Sequence, residues 1–290
     1  MSKALYKILI PVFLSLLCQA CITEVDVGAC NNTVIRFEYL ADGDDDVFPD
    51  YISSVTYCIY DGEGNIVTQA TLDKKRLDQF QGLKIRLWDT GTYRLVAWGN
   101  FGTDCVLQAH NKLATGKVVT NSDMPVTFDR LYLGTLDFNL ESTDGRHEWV
   151  ARLHSVHVTL NAYIQSSVNE NAADYFIRIG EFATGVSNNG DILGPAKVYN
   201  PKFVNGQKGM IESTTWLPRF DENTDAILEV FSALSGTRVA SVNLSDYIAA
   251  NGIRISGVEE AVIDVLISIS GTNVAIKFPG WKPRPVYPGI

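Results

Sequence analysis

The sequence predicts an all-β protein, two tandem β-sandwich domains carried behind an export segment. Short runs rich in β-branched and aromatic residues recur along the chain, turn clusters containing glycine and asparagine separate them, and helical character is confined to two short stretches. The 290 residues suit a signal segment plus two domains, because domains usually run about 100–200 residues. With 46% hydrophobic and 20% charged residues, the composition is that of a folded chain and not of a disordered one.

The N-terminus carries the most specific signal. Lys3 and Lys7 precede an apolar stretch from Ile8 to Leu17, broken only by Pro11 and Ser15. A bilayer-spanning helix needs about 20 apolar residues, so this run reads as an export signal. It ends in Leu17-Cys18-Gln19-Ala20-Cys21, where a small residue stands directly before a cysteine. That is the pattern of lipoprotein processing: cleavage between Ala20 and Cys21 and acylation of Cys21, although the position three before the cysteine, usually a larger aliphatic residue, is Cys18. An ordinary signal peptide and acylation at Cys18 are the alternatives. Acyl chains, at about 0.8 kcal/mol per buried methylene, hold a protein at a membrane with no segment crossing it. Cys18 and Cys21 have the spacing of a redox or zinc pair, but Cys18 lies in the discarded segment. The expected organisation is a signal peptide over 1–20, a lipidated tether over 21–32, an N-terminal sandwich over 33–143, and a C-terminal sandwich with a proline-rich tail over 144–290.

In the first sandwich, strands are expected at Thr33 to Tyr39, Ser54 to Tyr60, Ile66 to Ala70, Leu83 to Leu87, Gly91 to Trp98 and Thr135 to Leu140, with Val126 to Phe128 also strand-like. Asp61-Gly62-Glu63-Gly64-Asn65 is a turn cluster, and Asn111 to Thr120 reads as a connection. The polar stretch Glu141 to Glu148 marks the boundary. Beyond it, Ser155 to Ile164, Tyr175 to Ile179, Ala226 to Ala233 and Arg238 to Asn243 read as strands. Val168 to Ala173 and Ser245 to Asn251 read as helices, the second capped by Ser245 and followed by Gly252. Val262 to Ile269, the turn Gly271-Thr272-Asn273 and Val274 to Phe278 form a hairpin with one buried face. Pro279, Pro283, Pro285 and Pro288 restrict the end to an edge or a tail.

The search for chemistry returns mostly exclusions. A net charge of -9 without a basic stripe argues against nucleic acid. Asp42, Asp44 and Asp46 alternate like the start of a calcium loop, but Val47 stands where glycine is needed and Ser53 where the distal glutamate is needed, so a solvated acidic loop is expected. His154 and His157 should point to opposite faces of a strand and share no metal. No nucleophile elbow, phosphate loop or zinc helix occurs, and neither catalysis nor a cofactor is expected. The five tryptophans read as core or rim packing. Of the remaining cysteines, Cys58 lies in a strand pattern as a core residue, which leaves Cys30 with Cys105 as the pair for a disulfide.

Taken together, the lipobox-like cysteine, Cys30, V-I-R-F-E-Y, an acidic loop, V-T-Y-C-I-Y-D-G-E-G-N and G-T-Y-R-L-V-A-W-G-N resemble the FimB/Mfa2 family of fimbrial anchor subunits from Bacteroidales. The second half adds Ser155-Val156-His157-Val158 and the terminal V-A-I-K-F-P-G-W. The resemblance implies transthyretin-like sandwiches, lipid attachment to the cell outer membrane, and a minor fimbrial subunit that anchors a fimbria and contributes to assembly and adhesion. Its partner is then a shaft subunit. Related shaft subunits polymerise after a protease removes their first strand; here Thr33 to Tyr39 lies so near Cys21 that such a cut would free the fold from its lipid, so this strand is expected to stay. The shaft contact is expected in the C-terminal half, with Val274, Ile276 and Phe278 as one apolar face and Trp281 plugging a pocket beside it, unless that strand simply closes its own sandwich. The alternative reading is a tip or stand-alone adhesin for a host protein or glycan.

Overall fold

The computed structural model describes residues 31–167 and 170–282, which are mostly strand. The first half runs β1 (Thr33–Glu38), β2 (Val55–Asp61), β3 (Ile66–Leu72), β4 (Gly82–Ile85), β5 (Gly91–Gly99), β6 (Cys105–Gln108), β7 (Lys117–Thr120), β8 (Tyr132–Leu140) and β9 (His147–Ser155). The second half runs β10 (His157–Ser166), β11 (Tyr175–Phe182), β12 (Gly185–Ser187), β13 (Ile192–Leu193), β14 (Lys197–Tyr199), β15 (Val204–Asn205), β16 (Ile211–Pro218), β17 (Ile227–Ser232), β18 (Arg238–Asn243), β19 (Val262–Ser270) and β20 (Asn273–Lys277).

Seven strands in the order β3-β2-β5-β8-β9-β1-β4 make the first sheet. β8 and β9 pair only over Tyr132–Gly134. The sheet folds over there, its end strands β3 and β4 staying unpaired with each other among the described residues, so that Ile35 and Phe37 of β1 share a core with Tyr57, Ile59, Leu95 and Phe138. β1 runs parallel to β9 on one side and antiparallel to β4 on the other. Gly82 permits the second pairing, because a Cβ there would collide with the Ile35 carbonyl.

V-T-Y-C-I-Y and L-V-A-W are unbroken apolar runs because β2 and β5 are buried on both faces. Tyr57, Ile59, Leu95 and Ala97 face that first core, whereas Cys58, Tyr60, Val96 and Trp98 face a second core that continues into the other half. Between them lies a small sheet ordered β13-β12-β7-β6. β6 and β7 come from the first half, within and beside the segment expected to be a mere connection, and β7 pairs with β12 of the second half. The two halves therefore share a hydrogen-bonded ladder. The expected boundary at Glu141 to Glu148 is instead largely the turn between β8 and β9 of one sheet; the chain leaves that sheet at Val156, between β9 and β10. Of the polar residues that suggested a linker, only His147 and Glu148 belong to β9, whose inward positions Ala151 and Leu153 are buried.

The second half is a sandwich of β15-β16-β10-β19-β20 against β14-β11-β17-β18. Its helix covers Leu244–Asn251, and the cap is Asn243, which accepts from the Asp246 N–H at 3.0 Å, in place of the expected Ser245. Gly252 ends the helix in the left-handed region, at φ 63°. Part of the other expected helix lies outside the described residues, and Ala172–Asp174 forms a single 3-10 turn. Val126 to Phe128 is not strand, although Phe128 N–H donates to Trp216 O at 2.8 Å.

Candidate subunit interface

The C-terminal hairpin forms as expected, with Gly271 at φ 58° in its turn. β19 is interior: it pairs with β10 in parallel and with β20 antiparallel, and Ile263, Val265 and Ile267 are fully buried. β20 is the sheet edge. Register places Ile276 beside Ile267 and Val274 beside Ile269, so both point to the core side. They nevertheless remain 38% and 39% exposed on this edge strand. Phe278, next on this face, packs half-buried against the core. Trp281 departs from this group. After Pro279 the chain turns to the outer face, where Trp281 meets Tyr163 edge-on at 5.8 Å and Lys282 lies 3.9 Å from Asp264. Thus Val274, Ile276 and Phe278 line one side of the edge, and Trp281 occupies the other side in place of a pocket beside them.

The opposite end of the molecule is locked. Asn32 is fully buried, and its side chain donates to Leu87 O at 2.8 Å and Thr143 O at 3.3 Å while accepting from Leu87 N–H at 3.0 Å. Its carbonyl accepts from His147 N–H at 2.8 Å. One asparagine therefore ties the start of β1 to both neighbouring strands. A buried amide with all these partners contributes to stability, and one deprived of them carries a desolvation penalty.

A polar junction joins the halves at the other end of β1. Glu260 accepts from Tyr39 Oη at 2.5 Å and Tyr132 Oη at 2.8 Å, and pairs with Arg130 at 2.9 Å. Burial alone would raise the Glu260 pKa, but the two tyrosine hydrogen bonds, with His157 and Arg130 nearby, hold it below the usual carboxylate range. Burial and the same carboxylate push Tyr39 and Tyr132 up. The acidic loop takes part through carboxylates that accept from backbone amides: Asp42 receives Glu259 N–H at 2.8 Å, and Asp46 receives Tyr39 and Phe48 N–H, each at 3.1 Å. Among the described residues no cluster of three metal-ligating side chains occurs.

His154 and His157 do face opposite ways. His154 is exposed and bonds Glu259 at 2.7 Å, which raises its pKa. His157 is buried, bonds Leu131 O at 3.0 Å, and is pushed down to about 4 by burial. Sequence reading missed Asn32, Arg130, Glu259 and Glu260; each meets partners that are distant in the chain.

Ala20, Cys21 and Cys30 lie outside the described residues. Cys58 and Cys105 are both buried free thiols. Cys105 Sγ accepts from Asp129 N–H at 3.5 Å, and burial raises its pKa beyond the titrating range. Of the tryptophans, Trp98 is 1% exposed, whereas Trp88 stands 78% exposed.

Known proteins supply the frame for this geometry. No curated protein sequence matches the chain. Three solved structures share its fold: a candidate polysaccharide-binding protein from Bacteroides thetaiotaomicron (19% identity, TM-score 0.68, covering 89% of this chain and 98% of that one), a candidate adhesin from the same organism (16%, 0.66, 89% and 99%), and the fimbrial anchor protein Mfa2 from Porphyromonas gingivalis (14%, 0.62, 86% and 97%). At such identities they speak to fold alone. The family model for fimbrillin-A associated anchor proteins Mfa1 and Mfa2 matches residues 27–286, nearly the whole chain, and the protein belongs to that family.

Proposed function

We propose that this protein is an outer-membrane lipoprotein, acylated at Cys21, that anchors a fimbria to the cell surface and has no catalytic chemistry of its own. The observation that carries the reading is the contrast between its ends. β1, which follows the proposed acylation site after a short tether, is held on both sides and clamped by Asn32; a protease that removed it would separate fold from lipid. The far half offers an open edge with Val274, Ile276 and Phe278 on one side, suited to a shaft subunit that adds a strand and covers them.

Cell fractionation of a Cys21→Ser variant tests attachment: the expected result is loss of the protein, and of fimbriae, from the outer membrane. Equal retention of the variant would sink the lipoprotein reading. Deleting the protein should release shafts into the medium and alter their length. Normal attached shafts lacking only host adhesion would favour the tip or stand-alone adhesin.

A further inference from the structure

We propose that the end of the first sandwich bearing Trp88 is a membrane seat, in which the Trp88 indole enters the headgroup layer of the lipid surface to which the chain is tethered. The inference rests on the reading of the protein as lipid-anchored. Trp88 lies in the turn between β4 and β5 and is 78% exposed, far more than the other large aromatic side chains at this end. It lines, with the half-exposed Val67, a depression of about 450 Å³. The Arg86 guanidinium lies 5.4 Å from the indole centroid. An indole with an arginine beside it matches the lipid–water boundary, where the ring takes the apolar side and the guanidinium reaches phosphate.

The position of the tether says what covers this patch. β1 pairs with β4 as Thr33 beside Ile85, and the same register continued by one residue sets Asn32 beside Arg86. Asn32 is in turn hydrogen-bonded to Leu87, the neighbour of Trp88. The start of the described chain thus lies beside the turn that carries Trp88, with Asn32 eleven residues after Cys21. Residues 21–32 span at most about 40 Å when fully extended, and a coil of that length keeps its ends much closer. A patch held so near a surface meets it at high effective concentration, so even a weak insertion is populated. Asp61 and Asp89 also line the depression, which disfavours an anionic surface and commits the seat to zwitterionic headgroups, whose phosphate faces Arg86 and whose ammonium faces the carboxylates.

The test uses the full chain extracted from membranes and placed on phosphatidylcholine vesicles, with and without lipid brominated high on the acyl chain. Bromine quenches an indole only at short range. Brominated lipid is expected to lower the emission of the parent protein, Trp88→Phe to remove most of that quenching, and Trp281→Phe to leave it unchanged. Replacing part of the lipid with phosphatidylglycerol should not strengthen it. The mass of the N-terminal peptide reports separately whether Cys21 is acylated, so failure of the anchor and failure of the seat are read in different signals; if Cys21 is unmodified, the same Trp88-dependent quenching is expected at excess lipid. Quenching that Trp88→Phe does not reduce overturns the proposal. So does a Trp88 emission indifferent to brominated lipid but shifted by soluble oligosaccharide, which would make the depression a glycan platform. With its side chain largely in solvent, Trp88→Phe leaves the fold intact.

Discussion

β1 and β20 are short strands with similar sequence character, T-V-I-R-F-E and N-V-A-I-K, yet they meet opposite fates. β1 has a strand on each side and a sheet in front, and Ile35 and Phe37 are at most 2% exposed. Among the described residues β20 has one neighbour, β19, and Val274 and Ile276 stay more than a third exposed. Apolar content does not decide burial here; a strand's place in its sheet does. For the anchoring role proposed above, the consequence is a division of labour. The strand beside the tether cannot be exchanged without dismantling a core, while β20 has no strand on its outer side among the described residues.

Substitutions in the two strands should therefore cost very different amounts. Phe37→Ala removes a buried ring and leaves a cavity, with an expected loss of about 3–5 kcal/mol in denaturant unfolding. A loss under about 1 kcal/mol would break the comparison, since β1 would then be no better held than an edge. Acid offers a second approach at the junction that secures the inner end of β1. His157 has a folded pKa pushed down to about 4 by burial, so the unfolded chain takes up a proton first as pH falls through about 6.5. The stabilisation is complete above that value, declines by roughly 3 kcal/mol between pH 6.5 and 4, and is level below. Glu260, also held below its ordinary value, adds a further loss beneath pH 4.5. Hydrogen exchange followed from pH 7 to 4.5, corrected for the intrinsic rate, should show β1 amides losing protection while β20 amides start low and change little; a His157→Gln variant should be flatter over that window. At the outer end, Asn32→Ala leaves the Leu87 amide and carbonyl without their side-chain partner and should cost about 2 kcal/mol in the same unfolding measurement.

How much of this was legible in the sequence depends on how local each determinant is. The strands β2, β5, β8, β18 and β19 were readable because alternation, aromatic content and flanking turns are contained within the segment itself. β9 was not, because its solvent-facing Glu148, Arg152 and His154 give it a polar character, and it is a strand through its pairing with β1, more than a hundred residues earlier, and with the start of β8. β7 and β12 are individually too short to announce themselves and exist through each other. The same logic governs the site. Val274, Ile276 and Phe278 alternate visibly and do share a face, whereas the rotation of Trp281 to the far side is set by the turn after Pro279 and by Tyr163 and Asp264 waiting there. Glu260 looked like any surface acid until Tyr39, Arg130 and Tyr132 converged on it.

The smallest expected effect on stability is also the one that separates a docking edge from an ordinary last strand. Ile276 lies on the core side of β20 but is 38% exposed, so Ile276→Ala should cost less than about 1 kcal/mol, since little area is lost from contact. Ile276→Lys should be tolerated as well, because edge strands of stable proteins commonly carry lysine to discourage strand addition. That property makes the lysine informative: it leaves the monomer folded while placing a charge where a partner strand would lay its apolar face. If β20 receives the shaft, Ile276→Lys should retain its unfolding midpoint and lose most shaft capture from detergent extracts, with Ile276→Ala intermediate. If Ile276→Lys instead unfolds the protein about as readily as Phe37→Ala does, β20 belongs to its own sandwich as fully as β1 belongs to its sheet, and the contrast between the two strands disappears.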